Sequence, residues 1–337
     1  MTSAANTQHP GAVHREEVHE SARKHVTGGA PYVDDLPHPS DLLHAYVGFS
    51  GIAHGQVKSI DLEAVRSSPG VAAVICVADI PGSNDISPVH AGDETVLADG
   101  RVEFMGQPLF AVAATTRDAA RRAVLKAIVE YEELPAVLDL DTALANESWV
   151  IEPHTMKRGN SASALADAAH RLGGEIRTGG QDHFYLGGQV SMALPQEHAD
   201  LLICTSSQHP SEVQELVAHT LNRPTNAISV EVRRMGGAFG GKETQAAQWA
   251  VIAALLAAQT GQAVKLRLDR DDDMRSTGKR HDFLIAYDVG FDDRGQISGI
   301  EFMQAARCGM SADLSGPIAD RAMFHSDNAY YLDQVTI

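Results

Sequence analysis

The segment Met235-Gly236-Gly237-Ala238-Phe239-Gly240-Gly241-Lys242-Glu243 constrains this chain more than any other. It lies between a β-branched run, Ala227–Val232, and an apolar stretch that reads as a helix from Glu243 to about Gln259, ended near Gly261. Strand, glycine turn and helix in that order form an α/β unit whose turn lets backbone approach a ligand closely. The helix start adds a partial positive charge, so the loop is suited to an anion. The spacing from Gly236 to Gly241-Lys242 matches most of a phosphate-binding P-loop, but that motif needs Ser or Thr next, to bind magnesium. Here the residue is Glu243, whose carboxylate would repel a nucleotide phosphate. The plainer alternative is a glycine turn that only packs a helix on a sheet.

The 337 residues suffice for two domains. Residues 1–20 read as a flexible tail. Residues 21–135 read as an α+β domain, with strands at Leu42–Phe49, Val71–Val77 and Leu109–Ala114. An amphipathic helix is expected over Arg117–Tyr131, from Ala120, Val124, Ile128 and Tyr131 at helical spacing, with Thr116 as its cap. Residues 136–163 read as a linker, and residues 164–337 as a second α/β domain. In the latter, strands are expected at Gly188–Leu194, Leu201–Thr205, Val264–Leu268, Leu284–Val289 and Ile297–Ala305. A helix over Ser211–Leu221 carries a capping box from Ser211 to Gln214 and an apolar face of Val213, Leu216, Val217 and Leu221.

Charge and cysteine content exclude several functions. A formal net charge of −17 repels phosphate backbones and anionic membranes, so neither nucleic acid nor membrane is an expected partner. Cys76, Cys204 and Cys308 are far apart, form no CxxC pair, and suit a reducing cytoplasm. They are too few to hold an iron–sulfur cluster. Neither HExxH nor GxSxG occurs. Asp269-Arg-Asp271-Asp-Asp273 hints at a calcium loop, but its sixth position is Met274 and its twelfth Arg280, so it reads as a solvated turn.

Two further polar segments accompany the glycine loop. Gly179-Gly180-Gln181-Asp182-His183-Phe184-Tyr185-Leu186 either lines a ligand or is a turn into a strand, with His183 a core histidine. Ser206-Ser207-Gln208-His209-Pro210-Ser211 sits at a strand-to-helix junction, where polar side chains bind ligands but more often cap and turn.

Taken in order along the chain, these segments resemble the molybdopterin-binding large subunit of xanthine dehydrogenases, within the molybdenum hydroxylases. His25-Val26-Thr27-Gly28, Tyr32-Val33-Asp34-Asp35, Ile52-Ala53-His54-Gly55, Tyr131-Glu-Glu-Leu-Pro135 and Leu266–His281 add to the resemblance. It implies an α+β chain: an α/β-hammerhead domain, then the first, incomplete part of a molybdopterin-binding domain. It implies molybdenum-dependent hydroxylation of purines, hypoxanthine or xanthine to urate. Electrons would leave through [2Fe–2S] clusters and FAD on a small partner subunit.

Residue by residue, the resemblance puts Gln181 and Phe239 near molybdenum and gives cofactor contacts to Gln181, Gly236, Gly237, Phe239, Gly240 and Gly241. Glu243 becomes the substrate carboxylate that hydrogen-bonds a purine. Position 187 is Gly where the family usually has Glu, which is expected to loosen the local strand. No catalytic residue is assigned in this chain, because the resemblance places a second substrate residue, an arginine, and the general-base glutamate beyond Ile337. The chain alone is therefore expected to be inactive and to bind molybdopterin poorly, with a second chain supplying the missing half. Two other functions remain open: a non-catalytic remnant or assembly module, and an aldehyde dehydrogenase of the same family.

Overall fold

A computed structural model describes residues 16–337. Most of the tail assigned to 1–20 lies outside the described residues.

The central element is a seven-stranded mixed sheet. From one edge to the other it runs Ile228–Glu231, Leu201–Thr205, Val190–Pro195, Val264–Arg267, Leu43–Phe49, Pro108–Ala114 and Val71–Cys76. The first four strands come from residues beyond 164 and the last three from residues before 135. They meet where Leu43–Phe49 lies parallel to Val264–Arg267, with Leu43 opposite Val264 and Ala45 opposite Leu266. One sheet therefore spans the two sequence regions.

Both faces of this sheet are covered. Pro108–Ala114 is buried along its whole length. Ala111 and Ala113 face one core, and Val112 and Ala114 the other, as the two-residue period of a strand requires. The first core contains the helix Ala247–Thr260, whose residues are buried from Ala247 through Ala257. A helix apolar on every side needs partners all round. It finds the sheet, the helix Pro210–Thr220, and the segment around Val96, where Gln248 Nε2 donates to the carbonyls of Thr95 and Val96 at 3.2 and 2.9 Å. Gly261, with φ of 67°, ends the helix as a left-handed cap. The second core lies under the helix Arg117–Val124, whose Thr116 side chain caps Ala119 N–H at 3.1 Å.

Two smaller sheets flank this body. One pairs Arg101–Val102, Gly55–Asp61 and Ile128–Glu133. The other runs Lys157–Arg158, Val335–Thr336, Ile297–Ala306, Phe283–Phe291 and His170–Thr178. Its long hairpin turns at Gly295, where φ is 78°.

Four local expectations are corrected. The helix from Arg117 ends at Val124, and Ile128–Glu133 is a strand paired with Gly55–Asp61. Val129 and Tyr131 turn to the core while Ile128 is 62% exposed, so the i, i+4 spacing was coincidental with a two-residue period. Ser211 is not a cap: His209 holds that position with Pro210 at the first turn, and Gln214 Nε2 donates to the Ile228 carbonyl at 2.7 Å. The apolar helix begins at Ala247 rather than Glu243. The acidic run after Asp269 is not a solvated turn but the helix Arg270–Ser276, with Asp272 and Asp273 buried.

Candidate functional site

The glycine loop is a strained, displayed turn. Gly237 and Gly240 have φ of 95° and 88°, and Phe239, which pays a steric cost there, has φ of 57°. Phe239 is 75% exposed. A side chain on Gly240 would meet no atom within 4 Å, so the outer surface at that residue is open. On the inner side the loop is tight. A Cβ on Gly241 would lie 2.6 Å from the His183 ring and 2.9 Å from Tyr185, and one on Gly236 would lie 2.8 Å from Gly187 N. Glycines are needed inward for contact and outward for conformation.

The departure at Gly187 has a local counterpart. Its N–H donates to the Gly236 carbonyl at 3.0 Å, and a Cβ there would come within 3.1 Å of Gly236 Cα. The two glycines let the segment 185–188 lie directly on the loop.

Beneath the loop is a water-excluded polar network. Lys242 is fully buried, and its Nζ donates to the carbonyls of Gly187 and Gly188 at 2.6 and 3.2 Å and to Ser206 Oγ at 2.8 Å. It also lies 4.4 Å from the centre of the Tyr185 ring. Burial lowers its pKa to about 8, with the Asp273 carboxylate opposing that fall and Arg270 adding to it. Tyr185 OH donates to Asp273 Oδ1 at 2.7 Å and accepts from Gln189 Nε2 at 2.9 Å. Gln189 Nε2 also donates to the Gly241 carbonyl at 3.2 Å. The short helix Arg270–Ser276 thus fixes the loop from below through Asp273. Asp272 in the helix and Asp269 just before it look away: Tyr46 OH donates to Asp272 at 2.5 Å, and Arg117 pairs with Asp269 at 2.6 Å.

Gln208 holds the loop from the side. Its backbone N–H donates to the Lys242 carbonyl at 2.8 Å, and its Oε1 accepts from the N–H groups of Gly240 and Lys242 at 3.0 and 3.3 Å. The amide Nε2 has no protein acceptor among the described residues, so it can donate outward. The polar junction 206–211 gave this residue's only sequence signal, a long amide between small hydroxyls and a proline. Nothing in the pattern around Lys242 distinguished a buried ammonium from a surface one.

Gln181 is placed differently. Its backbone bridges Arg280, with Gln181 N–H to the Arg280 carbonyl at 3.2 Å and Arg280 N–H to the Gln181 carbonyl at 2.9 Å. The Arg280 guanidinium also holds its side-chain oxygen. Its segment reaches the loop through His183, two residues on, which covers Gly241. Glu243 is exposed at the end of the loop. The segments of Gln181 and Glu243 therefore converge on Gly241, with Gly278 N–H donating to Gln245 Oε1 at 2.9 Å as a second tie.

Residues 145–337 match the family described as "Molybdopterin cofactor-binding domain", and residues 27–135 match "Aldehyde oxidase and xanthine dehydrogenase, a/b hammerhead domain". Xanthine dehydrogenase of Oryza sativa subsp. japonica is 40% identical over 332 residues, which is 97% of this chain and 24% of that protein. Xanthine dehydrogenase/oxidase of Gallus gallus is 39% identical over 96% of this chain and 24% of its own. The chain thus spans about a quarter of the length of these curated relatives. Among solved structures, aldehyde oxidoreductase from Desulfovibrio gigas superposes with a TM-score of 0.78 at 25% identity, over 85% of this chain and 34% of that one. Quinoline 2-oxidoreductase from Pseudomonas putida 86 gives a TM-score of 0.75 at 26% identity, over 85% and 38%. With the loop geometry, both family matches and this spread of relatives in hand, the chain belongs to the molybdopterin-binding aldehyde oxidase and xanthine dehydrogenase family.

Proposed function

We propose that this chain supplies one wall of a molybdenum–pterin centre that hydroxylates purines, working within a larger xanthine dehydrogenase-type assembly. The observation that carries the reading is the displayed loop: open at Gly240, strained at Phe239, with positive φ at Gly237, Phe239 and Gly240, and flanked by free amide donors and a carboxylate.

These residues fit a bulky anionic group. Gly236, Gly237, Phe239, Gly240 and Gly241 would hold it by close backbone approach. When bound, the group supplies two-electron redox chemistry at a substrate carbon. The chain's own residues bind and orient. Gln208 Nε2 and Gln181 Nε2 can each donate a hydrogen bond without titrating, since the loop N–H groups hold the Oε1 of the first and Arg280 holds the Oε1 of the second. Glu243 accepts from a purine N–H. The general base is not assigned here and belongs to the rest of the assembly. The three cysteines of this stretch are too few for a [2Fe–2S] cluster, so the clusters and FAD belong to the rest of the assembly. Phe184, Leu186 and Phe239, 66%, 92% and 75% exposed, give the loop face an apolar surface for the rest of the cofactor domain to cover, and we infer that the chain by itself turns over no substrate.

The test is the molybdenum and pterin content of the co-expressed assembly, together with xanthine oxidation. Gln208→Ala and Gln181→Ala should each lower kcat about 10²-fold, as loss of a preorganised donor does. An assembly free of molybdenum and pterin, or one loaded with them that oxidises no purine, sinks the reading.

A further inference from the structure

The bridge between Gln208 and Lys242 also decides what stands beside Glu243. Gln208 N–H to the Lys242 carbonyl, and Gln208 Oε1 to the Lys242 N–H, start the next residues of each segment side by side: His209 on one, Glu243 on the other. His209 is the cap of the helix Pro210–Thr220, so Glu212 lies in its first turn. Glu212 Oε2 is 2.7 Å from His209 Nδ1, yet the Glu212 side chain is only 13% exposed. Burial raises its pKa; the His209 contact opposes the rise, while the charges of Asp313 and Glu243 add to it.

The local charges are unbalanced. Glu212, Glu243 and Asp313 stand on one side, and Asp313 is held at φ of 41° with Oδ1 buried and unpartnered. Beside them are two imidazoles, His209 and, near Asp313, His281, whose pKa burial lowers toward the neutral ring. The nearest ammonium, Lys242, is turned inward to Gly187, Gly188 and Ser206. The positive end of the helix Pro210–Thr220 is already answered by Glu212.

We propose that the His209–Glu212 pair is a specificity-determining element beside Glu243, which admits neutral N–H-bearing heterocycles and rejects their anions. This rests on the reading of Glu243 as the substrate carboxylate. A purine N–H can be shared with a carboxylate; a purine that has lost that proton meets like charge in a partly desolvated site.

The experiment uses the whole assembly stripped of metal, so that ligands bind without turnover. Dissociation constants for xanthine, which loses a proton near neutral pH, and for hypoxanthine, which there keeps its own, are read by equilibrium dialysis from about pH 6 to about pH 8.5. The xanthine-to-hypoxanthine ratio should rise with pH in the unaltered protein. In Glu212→Gln the rise should shrink by about tenfold, a size expected for removal of one like charge. In His209→Asn, which replaces the imidazole 2.7 Å from Glu212 Oε2, the rise should also shift. A ratio that Glu212→Gln and His209→Asn both leave unchanged overturns the proposal while leaving the role of Glu243 intact. Glu243→Gln that alters the binding of neither purine overturns both readings together.

Discussion

Two buried charged regions border the glycine loop, and they differ in how completely they are paired. Below it, Lys242 has three acceptors, and Asp273 accepts from Tyr185 OH, Gln189 N–H and Thr277 Oγ1. Beside it, Asp93, Glu94 and Asp313 each keep one buried carboxylate oxygen without a partner. Gln245 Nε2 reaches both Glu94 and Asp313, but at 3.5 and 3.4 Å. A paired charge fixes geometry; an unpaired one moves its proton equilibrium instead. Glu94 shows this: burial raises its pKa to about 8, with Asp313 and Asp93 adding to the rise and Gln245 opposing it. The loop is therefore rigid from below and proton-sensitive from the side.

The sharpest way to break this contrast is Asp273→Ala. It strands Tyr185 OH, the Gln189 N–H and Thr277 Oγ1 without their shared carboxylate, and should cost ~3–5 kcal/mol in chemical denaturation. A loss under ~1 kcal/mol would mean that the lower network does not hold the loop.

Glu94→Gln should act through pH. Its folded pKa, about 8, stands above its ordinary 4.5. Its contribution to stability is thus full below the ordinary value and is lost as pH rises through about 8. The amide removes that slope, so the variant should gain ~2 kcal/mol on the unaltered protein at alkaline pH, read from melting temperatures across the range. Parallel profiles for the two proteins would refute it.

The smallest effect has the opposite sign. Lys242 has its pKa lowered to about 8 from 10.5, so between these values the unfolded chain binds more protons and stability rises with pH. Lys242→Met should abolish that alkaline gain of ~1–2 kcal/mol, whatever it costs at neutral pH. A gain that persists in the variant would place its source elsewhere.

The same contrast separates what the sequence disclosed from what it hid. The loop itself was legible, because four glycines between a β-branched run and an apolar helix leave few alternatives. So were the buried strands, where continuous apolar runs such as Leu109–Ala114 admit only a covered sheet. The lower network was not legible. Asp273 sits in an acidic run that resembles a surface turn, and only the fold turns it toward Tyr185, 88 residues away. Glu94 and Asp313 were invisible for the same reason: their proximity is a product of tertiary packing between distant segments. Gln208 was half-legible, since its position at a strand-to-helix junction marked it as polar without saying which way it would face. Ile128–Glu133 misled because helical and strand spacings coincide over so few residues.

The parallel pairing of Leu43–Phe49 with Val264–Arg267 has a consequence for how the protein is made. More than 200 residues separate these neighbours, so during synthesis the early strand emerges long before its partner. Until then it can pair only with Pro108–Ala114 and shows its other hydrogen-bonding edge to other unfolded chains. Refolding from denaturant should accordingly be slow and should lose yield steeply as protein concentration rises, even where the finished molecule is stable.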